Sequence, residues 1–251
     1  RQFTHSVFFI PIGSLFCSLI MWPLVSFKRI CDFKTCLLAC FSGYATHGLI
    51  DACTTYGTVL FWPFADTRIA WSVISIIDPI FTSVILLGLI ASIFRASIRV
   101  ALLTVLFGLL YLLVGCYQNQ RVQSEVYQIA NKRNHAVERI FVKPSFGNLV
   151  VWRTVYLHDN KFFVDAIRAG RGLSKFDGGS VKRFNINAQM EKLEIPPLPL
   201  YDLRRFKWFT NDMLGVSELH PDRVIDVRYS LLPNGLEPIW YLEFNQDFQD
   251  N

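Results

Sequence analysis

His47 and Asp51 stand four residues apart in Thr46-His47-Gly48-Leu49-Ile50-Asp51-Ala52-Cys53-Thr54-Thr55-Tyr56-Gly57, inside a run otherwise apolar enough to cross a membrane. On a helix that spacing puts both side chains on one face, one turn apart and separated by roughly 40°. Thr54 and Thr55 extend the same stripe. A histidine and a carboxylate in a bilayer are costly, so by default they mark a functional site. His5, in Thr4-His5-Ser6, and Asp78, before Pro79, lie in neighbouring segments. His5, His47, Asp51 and Asp78 are the candidate metal ligands, with Asp51 and His47 as the catalytic pair and Thr4, Ser6, Thr54 and Thr55 as supporting hydroxyls. Mixed imidazole and carboxylate donors suit Zn²⁺, Mn²⁺ or Fe. Such an ion activates water, and a carboxylate can serve as general base. The argument is one of cost: the apolar spans hold no Lys or Arg to neutralise these acids, whereas a divalent cation would.

Each residue also has a plainer reading. Asp78 before Pro79 fits a helix N-cap or a break at the membrane edge. His47 fits a hydrogen-bonded bundle histidine, and His5 an interfacial one. Thr54 and Thr55 fit hydroxyls bonded back to their own helix. Cys36 and Cys40, at i and i+4, read as packing.

The positioning elements follow from composition. Of the 251 residues, 52% are hydrophobic and 18% charged, with a mean hydropathy of +0.31; this is a membrane composition. Charge is unevenly spread. Residues 1–118 hold Arg1, Lys28, Arg29, Lys34, Arg68, Arg95 and Arg99 against Asp32, Asp51, Asp66 and Asp78. All six cysteines also fall in this part, so the remainder is not stapled by disulfides. The net charge of +5 is dispersed, with no basic stripe; nucleic acid is not an expected partner.

About four segments are long and apolar enough to span: Val7–Phe27, Thr35–Leu60, Trp71–Phe94 and Ile98–Tyr117. Short connections make them an antiparallel α-helical membrane bundle, residues 1–118. Lys28, Arg29 and Lys34 mark the first connection and Arg95 and Arg99 the third; the second is nearly neutral. The positive-inside rule puts the first and third in the cytoplasm, and everything after Tyr117 on the other side. At about 1.5 Å per residue, Asp51 and Asp78 then stand at similar depth in the non-cytoplasmic half, with His5 near the same surface.

Residues 119–251 read as a soluble α+β domain, mostly β, entered through a helical stalk at 119–134. Asn148–Leu157 and Phe162–Ile167 predict a hairpin around His158–Lys161. Gly170–Gly179 reads as a loop, and Tyr201–Leu214 as an amphipathic helix with Leu203, Phe206, Phe209 and Met213 on one face. Val224–Tyr229 and Pro238–Phe244 predict two strands around Pro233-Asn234-Gly235. His135, His158 and His220 read as surface residues. The glycines at 170–172 and 178–179 lack the strand-to-helix context of a phosphate loop.

Arg1-Gln2-Phe3-Thr4-His5-Ser6, Gly43-Tyr44-Ala45-Thr46-His47-Gly48-Leu49-Ile50-Asp51 with Thr54-Thr55-Tyr56-Gly57-Thr58, Trp62-Pro63-Phe64, and Ile76-Ile77-Asp78-Pro79 come in that order. This pattern resembles the bacterial inner-membrane metal-dependent hydrolases, the YdjM-like, LexA-binding group, over essentially the whole chain. Tyr229 and Trp240 in the soluble tail fit the same family. The resemblance implies that the first motif belongs to a His-Arg-x-x-Thr-His-Ser run. It implies an acidic Pro-Asp-x-Asp motif upstream of Arg1, and His5, His47, Asp51 and Asp78 as metal-site residues.

The expected function is a membrane-embedded, metal-dependent hydrolase of the bacterial inner membrane. A site near the outer leaflet points to an ester or phosphoester of a lipid-linked substrate, or to a small ester, among membrane lipid. A second class stays open: a non-enzymatic membrane protein whose soluble domain binds an unidentified protein partner. A transporter is a third, weaker option, since no inverted repeat is visible.

Overall fold

The computed structural model describes residues 3–27, 31–186 and 197–243. Arg1, Gln2, Lys28, Arg29 and Phe244, which entered the readings above, lie outside the described residues. The chain divides into two compact units, Arg1–Cys116 and Tyr117–Asn251.

The first unit is helical. Two 3₁₀ turns, Phe3–His5 and Val7–Phe9, lead into α1 (Ile10–Phe27), followed by α2 (Phe33–Cys53), α3 (Pro79–Phe94) and the start of α4 (Ile98–Lys132). Among the described residues two stretches are long and apolar enough to cross a membrane, Val7–Phe27 and Ile98–Lys132; Pro79–Phe94 is apolar but shorter. Three boundaries differ from expectation. α2 stops at Cys53 rather than Leu60, with Thr54 as its extended C-cap. α3 starts at Pro79 rather than Trp71, because Asp78 caps it and Pro79, lacking an N–H, suits a first turn. Polar residues 118–132 continue α4 without a break, so span and stalk are one helix.

Between α2 and α3 the chain folds back over the end of α2. Trp71 N–H donates to the Ala52 carbonyl at 2.8 Å and Val73 N–H to the Cys53 carbonyl at 2.9 Å. Both carbonyls belong to the last turn, which has no partners inside its own helix. Thr58 and Ile69 exchange backbone bonds at 2.9 and 2.8 Å. Gly57 makes this return possible: its φ is +67°, and a Cβ there would lie 2.4 Å from the Ile69 carbonyl oxygen.

In the second unit, β1 (Arg139–Pro144), β2 (Val151–His158), β3 (Lys161–Ala169) and β4 (Leu173–Lys182) form an antiparallel sheet in chain order. After α5 (Pro197–Thr210), β5 (Leu214–Val216), β6 (Arg223–Asp226) and β7 (Tyr241–Glu243) form a second sheet. This is the mostly β domain that was expected. The β2–β3 hairpin turns on Asp159 and Asn160, both at positive φ, as a tight two-residue connection requires. Gly170–Gly179 is not a loop, because β4 starts at Leu173; Gly178 packs against the Val164 carbonyl, where the β3–β4 register shifts. Tyr201–Leu214 is not one helix either: α5 ends at Thr210, and Leu214 opens β5. Leu203 is buried in α5, while Met213 packs with Val155, Val164 and Ile225 in the core of this unit.

Valines 122 and 126 with Ile129 and Ala130 bury one stripe of the later half of α4. Six consecutive residues of β2, Trp152–Leu157, are buried, as in a strand covered on both faces. Arg153 is among them: its guanidinium donates to the carbonyls of Val227 (2.8 Å), Pro233 (3.0 Å) and Gly235 (2.8 Å), so the buried charge is hydrogen-bonded. Lys143 pairs with Arg153 across the β1–β2 ladder and lies 5.0 Å from the Tyr229 ring centre. Burial, then the Arg153 charge, pulls its ammonium down to about 8 from the ordinary 10.5. Between these values the unfolded chain binds more protons than the folded one, so the Lys143 contribution to stability rises with pH across that window. Lys143→Met is expected to remove this part of the rise, read as the wild-type-minus-variant difference in urea unfolding free energy between about pH 8 and 10.

Candidate functional site

His5 ends the first 3₁₀ turn, and α2 carries His47 and Asp51 one turn apart. His5 Nε2 lies 3.5 Å from Asp51 Oδ2, with both side chains largely buried. The His5 and His47 rings are 4.5 Å apart between centres, and Tyr44 approaches His47 edge-on at 6.5 Å. Thr4 Oγ1 is 3.0 Å from His5 Nδ1. A carboxylate facing Nε2 favours the proton on that nitrogen, which leaves Nδ1 to accept from the Thr4 hydroxyl. Thr4, His5 and Asp51 then form one polar line, with His47 beside it.

Ser6, fully buried, anchors this arrangement rather than entering it. Its hydroxyl donates to the Trp62 carbonyl and accepts from Phe8 N–H, while Val7 N–H donates to the Leu60 carbonyl at 2.9 Å. The returning chain thus pins the turn that carries His5. Gly48 sets how close that turn can come, since a Cβ there would sit 2.9 Å from the His5 carbonyl oxygen. Sequence reasoning quoted Gly48 only as part of a motif and gave no role to Tyr44. The signal was available: a glycine directly after His47, in a helix interior that otherwise disfavours glycine.

The other expected members are placed differently. Thr54 does not continue the helical stripe; its hydroxyl donates to the Asp51 carbonyl at 2.7 Å, and Thr55 is buried beyond the helix end. Asp78 is 2% exposed. Its Oδ1 accepts from Phe81 N–H at 3.0 Å and its Oδ2 from the Tyr111 hydroxyl of α4 at 2.7 Å. It therefore caps α3 and ties α3 to α4. Two imidazoles and a carboxylate at His5, His47 and Asp51 are donors that suit zinc, manganese or iron. Among the described residues, no three His, Cys, Asp or Glu side chains are arranged as a metal-ligand set.

In the second unit, His135 and His158 are half-buried rather than free at the surface. Their rings stack at 4.4 Å, and His135 Nδ1 lies 2.9 Å from the Tyr156 hydroxyl. Arg133 donates to that hydroxyl and forms a two-pronged pair with Asp165 at 2.7 and 3.0 Å, which holds the guanidinium charged. Burial, with the neighbouring His158 and Arg133, favours neutral His135. His220 is exposed.

Two apolar stretches long enough to span and a buried imidazole–carboxylate pair support membrane association of a helical unit with a polar centre. Residues 1–122, just under half of the chain, match the family model described as YdjM inner membrane protein, so the helical unit is YdjM-like. The match ends inside α4, so the helical unit carries the likeness and the β domain lies beyond it. No curated protein and no solved structure matches the chain.

Two predictions concern packing. Gly48→Ala is expected to lower the thermal unfolding midpoint in detergent, because backbone blocks the added methyl. Gly43→Ala, with open space around it, is expected to raise or preserve the midpoint, since alanine favours helix by about 1 kcal/mol. Tyr111→Phe and Asp78→Ala are each expected to cost about 1–3 kcal/mol. In a double-mutant cycle read by denaturant unfolding, the two losses should couple; additive losses would remove the clamp from the account of Asp78.

Proposed function

We propose that this chain is a multi-pass inner-membrane protein whose His5–His47–Asp51 group is the centre of a metal-dependent hydrolase. Its substrate is an ester or phosphoester of a lipid-linked molecule. The observation that carries this reading is the 3.5 Å approach of His5 to Asp51 from segments 46 residues apart, with His47 alongside. With both His5 nitrogens engaged, a divalent ion would be held by His47 and Asp51, and it would polarise the ester oxygen and acidify water. The chain's own groups do the rest. Asp51 accepts a proton from the attacking water and returns it to the leaving oxygen, while His5, held by Thr4 through Nδ1, orients the carboxylate through its Nε2–H.

Four membrane passes take α2 as a full span and α3 as a short one. α2, with 21 residues, is about 32 Å long, and α3, with 16, about 24 Å. Arg95 and Arg99 at the α3–α4 connection, with Lys34 at the start of α2, favour those ends in the cytoplasm and the β domain on the other side. The second reading, a non-enzymatic membrane protein whose β domain binds a partner, draws support from Asp78, whose carboxylate is engaged by capping and by Tyr111.

Elemental analysis of the full chain in detergent, with hydrolysis of a chromogenic phosphodiester or ester in mixed micelles, separates the two. A stoichiometric transition metal and turnover, both lost in Asp51→Asn and His47→Ala at unchanged unfolding midpoint, are expected. Metal-free, folded wild-type protein without turnover would establish the second reading instead.

A further inference from the structure

One end of the four-stranded sheet gathers the β1–β2 loop, residues 145–150, and the β3–β4 turn, Gly170-Arg171-Gly172. The ladder puts both there, since Val151 pairs with Arg168 and Ala169 N–H donates to the Val150 carbonyl at 2.6 Å. The turn is fastened to α4. Gln118 donates to the Ala169 carbonyl at 2.8 Å, and Arg121 to the Gly170 carbonyl at 3.1 Å while lying over the Tyr117 ring. Gln118 and Arg121 are the first polar turn after the apolar run of α4, which ends at Tyr117. At about 1.5 Å per residue, they lie within about 6 Å of the end of that run along the helix axis, the depth of lipid headgroups.

The surface at this end suits that depth. Phe146 is 71% exposed and Val150 42%, and Arg168 and Arg171 are exposed beside them. Residues 144–151 and 168–174 contain no acid. Exposed apolar side chains beside arginines, in loops that carry no acid, are how a protein surface rests in a lipid interface, rings among acyl chains and guanidiniums on phosphates.

We propose that this end of the sheet is a docking surface for anionic phospholipid, with Phe146 and Val150 inserted at the interface and Arg168 and Arg171 on headgroup phosphates. The inference rests on α4 crossing the membrane and is independent of the hydrolase reading. It makes the β domain a body seated on the bilayer rather than one tethered above it.

The test uses the full chain in nanodiscs of phosphatidylcholine, with and without phosphatidylglycerol. A benzophenone amino acid is placed singly at positions 146, 171, 113 and 219. Leu113 faces outward in the apolar part of α4, and Leu219 is exposed beside Val181, toward the other end of the sheet. Lipid adducts at 146 and 171 are expected at several-fold the yield at 219, rising with phosphatidylglycerol and falling several-fold in Arg168→Glu/Arg171→Glu. Adducts at 113 with 146 and 171 no better than 219 would overturn the docking surface alone. Protein instead of lipid adducts at 146 would overturn it likewise. Indifference to phosphatidylglycerol and to the double charge reversal would overturn the role of the arginines. No adduct at 113 would overturn the membrane crossing of α4, and the inference with it.

Discussion

A helix that ends inside an apolar environment must find partners for its last carbonyls, and the first unit is built around meeting that demand at the end of α2. Irregular backbone is tolerated at membrane depth only where protein buries it. The chain after Cys53 supplies the burial by returning over the helix end, its N–H groups reaching Ala52 and Cys53. That return also brings the carbonyls of Leu60 and Trp62 to Val7 and Ser6. The turn carrying His5 is thereby fixed against α2, where Gly48 leaves room for its backbone. The His5–Asp51 contact is thus a by-product of solving a backbone problem, and loosening the return would loosen the pair.

This dependence explains why part of the site was legible in the sequence and part was not. His47 and Asp51 share a helix, so their spacing alone aligned them. His5 could be placed only by depth, and its partner could not be named, because the link runs through backbone bonds that hydropathy does not register. Hydropathy failed at the helix ends for a related reason: residues 54–60 and 71–77 carry no charge, whether helical or extended. The local chemistry was nevertheless present. Asp78 before Pro79 is a start signal, and Gly57 takes the positive φ that lets the chain turn back.

In the β domain the errors come from composition. Glycines at 170, 172, 178 and 179 resembled a loop, yet the last two sit in β4 where its register against β3 shifts and the backbones come close. β1 was not anticipated at all. Its sequence, Arg-Ile-Phe-Val-Lys-Pro, carries charges at both ends, and its lysine lies over an aromatic ring of the second layer. Arg153, buried, and Lys143, half-buried, show cations accommodated by carbonyls and a ring.

The acids of the apolar segments, first singled out by their cost, need the same correction. Carboxylates without Lys or Arg were held to require a metal. Asp78 shows a cheaper solution: a backbone N–H and a tyrosine hydroxyl are enough to hold a buried carboxylate and join two helices with it. Such donors suffice where a carboxylate ends a helix, because the first turn offers N–H groups without intrahelical partners. Asp51 sits in the last turn of its helix, where the free backbone groups are carbonyls and the dipole opposes a negative charge. It cannot be settled by its own helix, and a proton-bearing imidazole from another segment faces it instead. Position along the helix, more than the presence of the acid, separates a carboxylate satisfied by its own first turn from one that faces a side chain of another segment.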